Sequence, residues 1–178
     1  MPSHHLAAIA PEDHVRGAAE PALTIVQYGD YDCPHTRAST PIIRSIMSAL
    51  PASSRFVFRH FPLRHLHANA QALSEIAEAA ASLGHFWPTH DRLMEHRAGI
   101  TQDDVLVDLF AAHVDVDAVR RLMGSSAIAQ RIERDVTAGA SSGVHSTPTW
   151  FFNGVIWDGH YDRETLEERI RLALTASP

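Results

Sequence analysis

The hydrophobic pattern predicts strands near the two ends of the chain and helices between them. Residues 23–28 form a short apolar, β-branched run, which is typical of a buried strand. Apolar positions then recur at helical spacing between residues 34 and 50, which predicts a helix. Residues 55–61 alternate as a strand does, so this part of the chain predicts a β-α-β unit with parallel strands.

The middle of the chain has a different pattern. Residues 68–139 are rich in Ala, Leu, Glu and Arg and show no strand pattern, so they predict a block of helices. These helices are placed near residues 68–83, 86–96, 102–112, 116–123 and 127–138.

Strands return after residue 143. Two short apolar runs flank Asn153 and Gly154, a dipeptide that is typical of a two-residue hairpin turn. A last helix follows the hairpin. Its buried face is predicted to consist of Leu166, Ile170, Leu172 and Leu174.

The predicted order of elements is β-α-β, helical block, β-β-α, which is that of an α/β thioredoxin fold with a large all-helical insertion between its two halves. A chain of 178 residues is long enough for one well-packed domain and too short for two ordinary ones. We therefore predict a single domain over residues 1–178. Its thioredoxin core is placed at about 13–61 and 143–175, and the insertion at about 62–142.

Charge and hydropathy exclude two classes of partner. The formal net charge of −6 leaves no broad basic surface to follow a phosphate backbone, so no nucleic-acid partner is expected. No apolar stretch approaches the roughly 18 residues that a membrane-spanning helix needs. The first ten residues lack the basic and apolar regions of a secretion signal, so a cytoplasmic location is expected, or a periplasmic one if a leader was removed.

The chain contains one cysteine, Cys33, which excludes any disulfide within the chain. A lone cysteine is by itself most often a small buried apolar residue. Any disulfide that this chain forms must be intermolecular, so a monomer or a homodimer is expected, and a dimer linked through Cys33 would appear as a reducible band on a gel.

The neighbours of Cys33 favour a reactive thiol. Cys33 and Pro34 stand at the start of the first predicted helix, where proline is well tolerated. A helix N-terminus supplies partial positive charge and free N–H donors, which stabilise the thiolate that acts as nucleophile. His35 is expected to add to this stabilisation, together with Arg37 in the same turn. Two carboxylates ahead of the thiol, those of Asp30 and Asp32, are expected to oppose it.

Four segments resemble the bacterial DsbA-like thiol oxidoreductases. They are residues 28–35 (YGDYDCPH), 61–63 (FPL) with the later His67, 143–149 (GVHSTPT) and 152–154 (FNG). In that family the first segment carries the redox motif Cys-Pro-x-Cys, the second begins the insertion, the third is the cis-proline loop and the fourth is the hairpin. The chain is therefore identified as similar to DsbA-type thiol-disulfide oxidoreductases over roughly residues 13–174.

Two residues depart from the family pattern. Thr36 occupies the place of the second, resolving cysteine, so the resemblance implies a monothiol variant with the motif Cys-Pro-His-Thr. Gln27 lies six residues before Cys33, where the relatives usually carry a buried acid that helps to deprotonate the resolving thiol. Without a resolving thiol there is no such proton to transfer, so the two departures agree with each other. Gln27 is equally well interpreted as a polar strand residue.

The resemblance also implies where a substrate binds. The family's cis-proline loop faces the cysteine and leaves backbone groups free to pair with an extended peptide. Pro148 would be that proline, Thr147 would provide the pairing edge, and Trp150 would border the groove. The expected partners are a cysteine-containing protein or peptide, or glutathione as a co-substrate, with no resident cofactor.

Three functions follow from these residues. The first is monothiol exchange, in which the Cys33 thiolate forms a mixed disulfide that an external thiol such as glutathione resolves. The second is a non-catalytic peptide-binding or redox-sensing module, in which Cys33 is only modified. The third is a glutathione-dependent transferase or isomerase that uses the Thr36 hydroxyl.

The 13 histidines raise the question of a metal site. His60, His65 and His67 are close in sequence, but no second cysteine or cluster of acids completes a zinc-ligand spacing. We therefore predict no metal site and interpret the histidines as a surface feature.

Overall fold

The computed structural model describes residues 6–50, 52–96, 99–157, 160 and 162–175. The ends of the predicted domain, residues 1–5 and 176–178, lie outside the described residues. The elements are, in chain order, β1 (His14–Gly17), β2 (Leu23–Gly29), α1 (Pro34–Ala49), β3 (Ser54–His60), α2 (Ala70–Ser82), α3 (Phe86–Glu95), α4 (Gln102–Ala111), α5 (Val116–Leu122), α6 (Ser126–Ser141), β4 (Thr149–Phe152), β5 (Val155–Trp157) and α7 (Arg163–Thr175).

The strands form one sheet in the order β1-β3-β2-β4-β5. β2 and β3 are parallel, as predicted, and the other neighbouring pairs are antiparallel. The five helices α2 to α6 lie in sequence between β3 and β4. The predicted α/β thioredoxin fold with a helical insertion is confirmed. Within the described part of the chain, no helix has both the length and the apolar character that crossing a bilayer requires.

The central strand β2 is buried on both faces, because its alternate side chains enter two different apolar clusters. Ile25 belongs to the larger cluster, which also contains residues of α1, the insertion and α7. Val26 and Tyr28 point the other way and pack with Phe61 and Phe151. Such a strand reads as a continuous apolar run, which is why the sequence pattern located it.

Two sequence-based predictions of the secondary structure differ from the structure. β1 was not predicted, because it is a short edge strand in which Val15 is the one aliphatic side chain and three of four residues are exposed. The predicted buried face of α7 was wrong at Leu172, which is 49% exposed. Leu166, Ile170 and Ala173 are the buried residues, because a helix returns to the same face after three or four residues and not after two.

Gly139 on α6 allows this helix to approach the sheet closely. A Cβ atom at this position would lie 2.8 Å from a ring carbon of Tyr28 and 2.9 Å from one of Phe61. Gly139→Ala is expected to destabilise the protein by about 1–2 kcal/mol, because overpacking costs more than the roughly 1 kcal/mol gained in helix propensity. Urea unfolding measures the change. Phe61→Leu in the Gly139→Ala background should recover part of the loss, and equal or greater stability of Gly139→Ala would contradict the close approach.

A group of buried and partly buried charges, which we call the buried ionic network, ties the sheet to the insertion. It consists of Asp13, Arg59, Glu78, Arg131, Arg134 and Asp135. Arg59 Nη2 on β3 lies 2.7 Å from Asp13 Oδ2, and Arg131 Nη1 on α6 lies 2.6 Å from Asp135 Oδ1. Burial alone would raise the pKa of Asp13, but hydrogen bonds from Arg59 and the Ala10 amide outweigh burial and lower it.

His90 on α3 makes stability depend on pH. Its side chain is buried, its Nδ1 lies 3.0 Å from the Tyr31 hydroxyl, and burial places the pKa of His90 well below 6.5. Below about pH 6.5 the unfolded chain therefore binds a proton that the folded chain does not. The contribution of His90 to the free energy of unfolding is complete above about pH 6.5 and decreases as the pH falls below that value. The expected slope from this residue is about 1.4 kcal/mol per pH unit.

Urea unfolding at several pH values between 7 and 5 checks this prediction. His90→Asn keeps an acceptor for the Tyr31 hydroxyl but cannot be protonated, so it should flatten the fall in stability. An unchanged slope in His90→Asn would show that His90 is not the residue that takes up the proton.

Candidate active site around Cys33

Cys33 lies where β2 ends and α1 begins, at the carboxyl edge of the central strand. It is the N-cap residue of α1, and Pro34 follows at the first helical position, where its missing N–H costs no hydrogen bond. The Cys33 amide donates to the Asp30 carbonyl at 3.1 Å. Cys33 is 3% exposed, so the thiol lies below the surface in this conformation.

The cis-proline loop closes over the thiol. The Thr147–Pro148 peptide bond is cis, and Cys33 Sγ donates a hydrogen bond to the Thr147 carbonyl at 3.2 Å. Thr147 is itself buried, and its hydroxyl has no hydrogen-bond partner among the described residues. Thr147 therefore contacts the sulfur through its carbonyl, and Pro148 follows it across the cis bond. Only a protonated thiol donates to this carbonyl, so reaction as a thiolate requires the hydrogen bond to be broken.

Thr36 and His35 in the first turn of α1 point to different surroundings. Thr36 is fully buried, and its hydroxyl accepts a hydrogen bond from the Asp30 amide at 3.5 Å. Its carbonyl accepts hydrogen bonds from the hydroxyls of Ser39 and Thr40. Pro34 and His35 are exposed to solvent. The turn thus presents one imidazole at the surface and a packed hydroxyl beneath it.

Two aspartates fix the loop that precedes the cysteine. Asp30 is fully buried, and its carboxylate accepts hydrogen bonds from the amides of Asp32 (2.8 Å) and Leu63 (2.9 Å). His67 Nδ1 lies 2.7 Å from the same carboxylate. Asp32 accepts from the Asn69 amide at 3.0 Å. The segment between β3 and α2 is therefore held against the active-site loop through these two side chains.

Arg37 lies beside one of these carboxylates. It is 7% exposed, and burial lowers the pKa of Arg37 while the charge of Asp32 opposes that change. Arg37, the cation that was expected to stabilise the thiolate, therefore interacts electrostatically with Asp32, one of the two carboxylates that were expected to destabilise it.

Gln27 and Trp150 are neighbours in the sheet, paired across β2 and β4. Both are 1% exposed, and neither Gln27 Nε2 nor Trp150 Nε1 has a hydrogen-bond partner in the part of the chain that the structure describes. Gln27 is therefore a buried neutral amide in the place where the related proteins usually carry an acid. Trp150 packs in the main core, so it does not border an open groove as predicted, because alternation along β4 turns its ring inward.

Asp30 and His67 lie in two of the segments that resemble the family, but their contact was not predicted, since the two residues are 37 positions apart. The three histidines that were compared as metal ligands do not converge. His60 is buried beside Glu78, His67 pairs with Asp30, and His65 is exposed.

Comparison with known proteins agrees with this geometry. A family profile described as DSBA-like thioredoxin domain matches residues 24–171. The structure is similar to a thioredoxin-like oxidoreductase from Silicibacter pomeroyi (TM-score 0.83, 22% identity, 94% of this chain and 95% of that one). It is also similar to BdbD from Bacillus subtilis (TM-score 0.78, 19% identity, 92% and 94%). These two likenesses show the shared fold.

A further similarity is to part of a longer protein. The chain is 36% identical over 165 residues to a protein of Salinispora arenicola named Na(+)/H(+) antiporter NhaA 1, with 93% of this chain matched. The chain spans about a quarter of the length of the curated relatives it matches. The profile covers most of the chain and includes Cys33, Thr36 and the cis-proline loop, and the chain therefore belongs to the DSBA-like thioredoxin domain family.

Proposed function

We propose that this protein catalyses monothiol exchange through Cys33. The observation that carries the proposal is the position of the only cysteine at the N-cap of α1, against the Thr147 carbonyl, with a buried threonine where a resolving thiol would stand. A helix N-terminus favours the thiolate, and the absence of a second thiol in the chain leaves resolution to an external one.

The proposed reaction has two steps. The Cys33 thiolate attacks one sulfur of a protein–glutathione disulfide, forms a Cys33–glutathione disulfide and releases the protein thiolate, which takes up a proton. A second glutathione, as thiolate, then attacks the glutathione sulfur of that adduct. Cys33 is regenerated as a thiolate and glutathione disulfide is released. In sum, the protein substrate is reduced to its thiol and two glutathione units are joined as glutathione disulfide.

The cis-proline loop is the proposed binding edge. An extended cysteinyl peptide or glutathione that pairs with the backbone at Thr147 would take the hydrogen-bonding position that Cys33 Sγ now occupies. Substrate binding would thus free the sulfur at the moment when a disulfide is beside it. Main-chain pairing of this kind needs little side-chain specificity, which suits a substrate class defined by its sulfur.

A second candidate is a redox-sensing module that forms the adduct and does not turn it over. The observation that favours it is the similarity to a domain-sized part of proteins named Na(+)/H(+) antiporters, each about four times as long as the matched segment. A reversible adduct at Cys33 would then report the thiol state to the rest of such a protein. The transferase reading draws no support from the geometry, because the Thr36 hydroxyl is buried against the Asp30 amide.

The deciding experiment uses a glutathionylated cysteinyl peptide with and without free glutathione. Wild type is expected to release the peptide thiol at a rate that saturates with peptide, and Cys33→Ser should show only the uncatalysed rate. One equivalent of adduct without turnover would establish the sensing module in place of the enzyme. Failure to form any adduct, while urea-unfolded protein is alkylated normally, would overturn both candidates.

A further inference from the structure

Three side chains from different elements meet near the β1 edge of the sheet. The cis-proline loop leads into β4, towards the opposite edge. His14 is on β1, His60 ends β3 and Glu78 is on α2. His14 Nε2 lies 2.7 Å from Glu78 Oε1, and His60 Nε2 lies 2.8 Å from the same oxygen. The three atoms are all within 4.8 Å of one another.

The ring orientations are fixed before any ligand arrives. The His14 ring stacks on Phe86 with 3.3 Å between centroids and 6° between planes. The His60 ring packs edge-on against Phe58. The side chain of His60 is fully buried, that of Glu78 is 6% exposed and that of His14 is 12% exposed. The group is therefore preorganised and reaches solvent on the His14 side.

We propose that His14, His60 and Glu78 form a binding site for a divalent transition-metal ion of the Zn²⁺ class. Two imidazole nitrogens and one carboxylate oxygen are a ligand set that suits such ions, and a water molecule would take the fourth position from the exposed side. Tetrahedral ligand atoms at about 2.0–2.1 Å from the ion are about 3.3 Å apart. The two N–O separations would need to widen by only about 0.5–0.6 Å, a movement that rotation of the Glu78 side chain supplies while the two rings stay in place.

The positive charge of Arg131 is expected to weaken metal binding at this site. Arg131 Nε lies 3.8 Å from Glu78 Oε1, and a guanidinium so close repels a divalent cation. Asp135 compensates part of that charge, because it pairs with Arg131 at 2.6 Å. We expect a dissociation constant in the micromolar range, weaker than that of a closed structural zinc site.

Metal binding would link three elements of the fold and stabilise them together. The three ligands come from the edge strand, from the strand next to the active-site strand and from the first helix of the insertion. An ion held by all three would add a metal-mediated link beside the buried ionic network, and it would stabilise only the folded chain, in which the ligands meet.

The test is a calorimetric titration of the full chain with Zn²⁺, together with Co²⁺ titration followed by visible absorption. Wild type is expected to bind one equivalent and to melt at a higher temperature in excess Zn²⁺. His14→Phe keeps the stacking on Phe86 and removes a ligand nitrogen, so binding should weaken by at least about 100-fold, the upper end of what loss of an outer-shell partner costs. Glu78→Gln should weaken it as well.

Two control variants separate this site from other ligands in the chain. His65→Asn removes an exposed histidine, and Cys33→Ser removes the only thiolate ligand; both should bind Zn²⁺ as wild type does. The proposal is overturned if wild type binds no more Zn²⁺ than His14→Phe, or if binding is lost in Cys33→Ser or His65→Asn instead. If Glu78→Gln fails to fold, His14→Phe alone decides the question.

Discussion

Replacing Thr36 with cysteine is expected to convert a protein whose mixed disulfide waits for an external thiol into one that closes a disulfide of its own. Thr36 lies three residues after Cys33 in the first turn of α1, on the same side of the helix. Cysteine is close to threonine in size, and the hydroxyl that is lost makes a single long contact of 3.5 Å with the Asp30 amide. The substitution should therefore cost little stability.

The expected size of this effect follows from proximity. A thiol within the same turn attacks the Cys33 adduct without having to be captured from solution, so the adduct should resolve at least about 100-fold faster than in wild type. Incubation of Thr36→Cys with glutathione disulfide, followed by mass spectrometry of the intact chain, distinguishes an internal disulfide from a glutathione adduct.

The matched control is Thr36→Ser, which changes the same side chain and adds no thiol. It should accumulate the Cys33 adduct as wild type does. If Thr36→Cys also keeps a stable glutathione adduct, the introduced thiol does not face Cys33 and the monothiol behaviour has another origin than the residue at position 36.

Arg59→Met is expected to have the largest effect on stability, a loss of about 3–5 kcal/mol. The Arg59 side chain is 3% exposed and that of Asp13 is 1% exposed. Arg59 donates to Asp13, to the Tyr28 hydroxyl and to the carbonyls of Ala7 and Ala8. Methionine fills similar space but removes these donors from a buried carboxylate and three other acceptors. Asp13 then keeps only the longer contact with Arg134 (3.3 Å) and the Ala10 amide, and this weakly compensated buried charge is what makes the loss large.

Urea unfolding measures this loss, and two comparisons interpret it. Arg16→Met breaks an exposed ion pair between Arg16 on β1 and Asp91 on α3, so it should cost no more than about 1 kcal/mol. Arg59→Met combined with Asp13→Asn should recover part of the loss, because the buried charge is then removed with its partner. A loss below about 1 kcal/mol in Arg59→Met alone would mean that the network contributes as little as a surface pair.

Local pattern was sufficient for the elements that carry the site. β2 is a continuous apolar run because both of its faces are buried, and α1 shows helical spacing directly after Cys33 and Pro34. The hairpin was found because Asn153 and Gly154 both adopt positive φ, which the dipeptide favours. In each case the residues that make the structure are adjacent in sequence.

The features that were missed depend on contacts between distant residues. β1 is held by pairing with β3, about 40 positions later, and has little apolar pattern of its own. The buried ionic network and the convergence of His14, His60 and Glu78 join elements that no local rule relates. Trp150 was predicted to border the groove because it follows the proline closely, yet the alternation of β4 turns it into the core.

The burial of Cys33 has a consequence for which oxidants it meets. With 3% of the residue exposed and the sulfur bonded to the Thr147 carbonyl, a small oxidant that collides at random finds little sulfur to attack. A ligand that competes for the same backbone position uncovers the sulfur as it binds. The choice between oxidants would then be kinetic. Cys33 would react slowly with diffusing peroxide and faster with partners that first displace its sulfur from the Thr147 carbonyl.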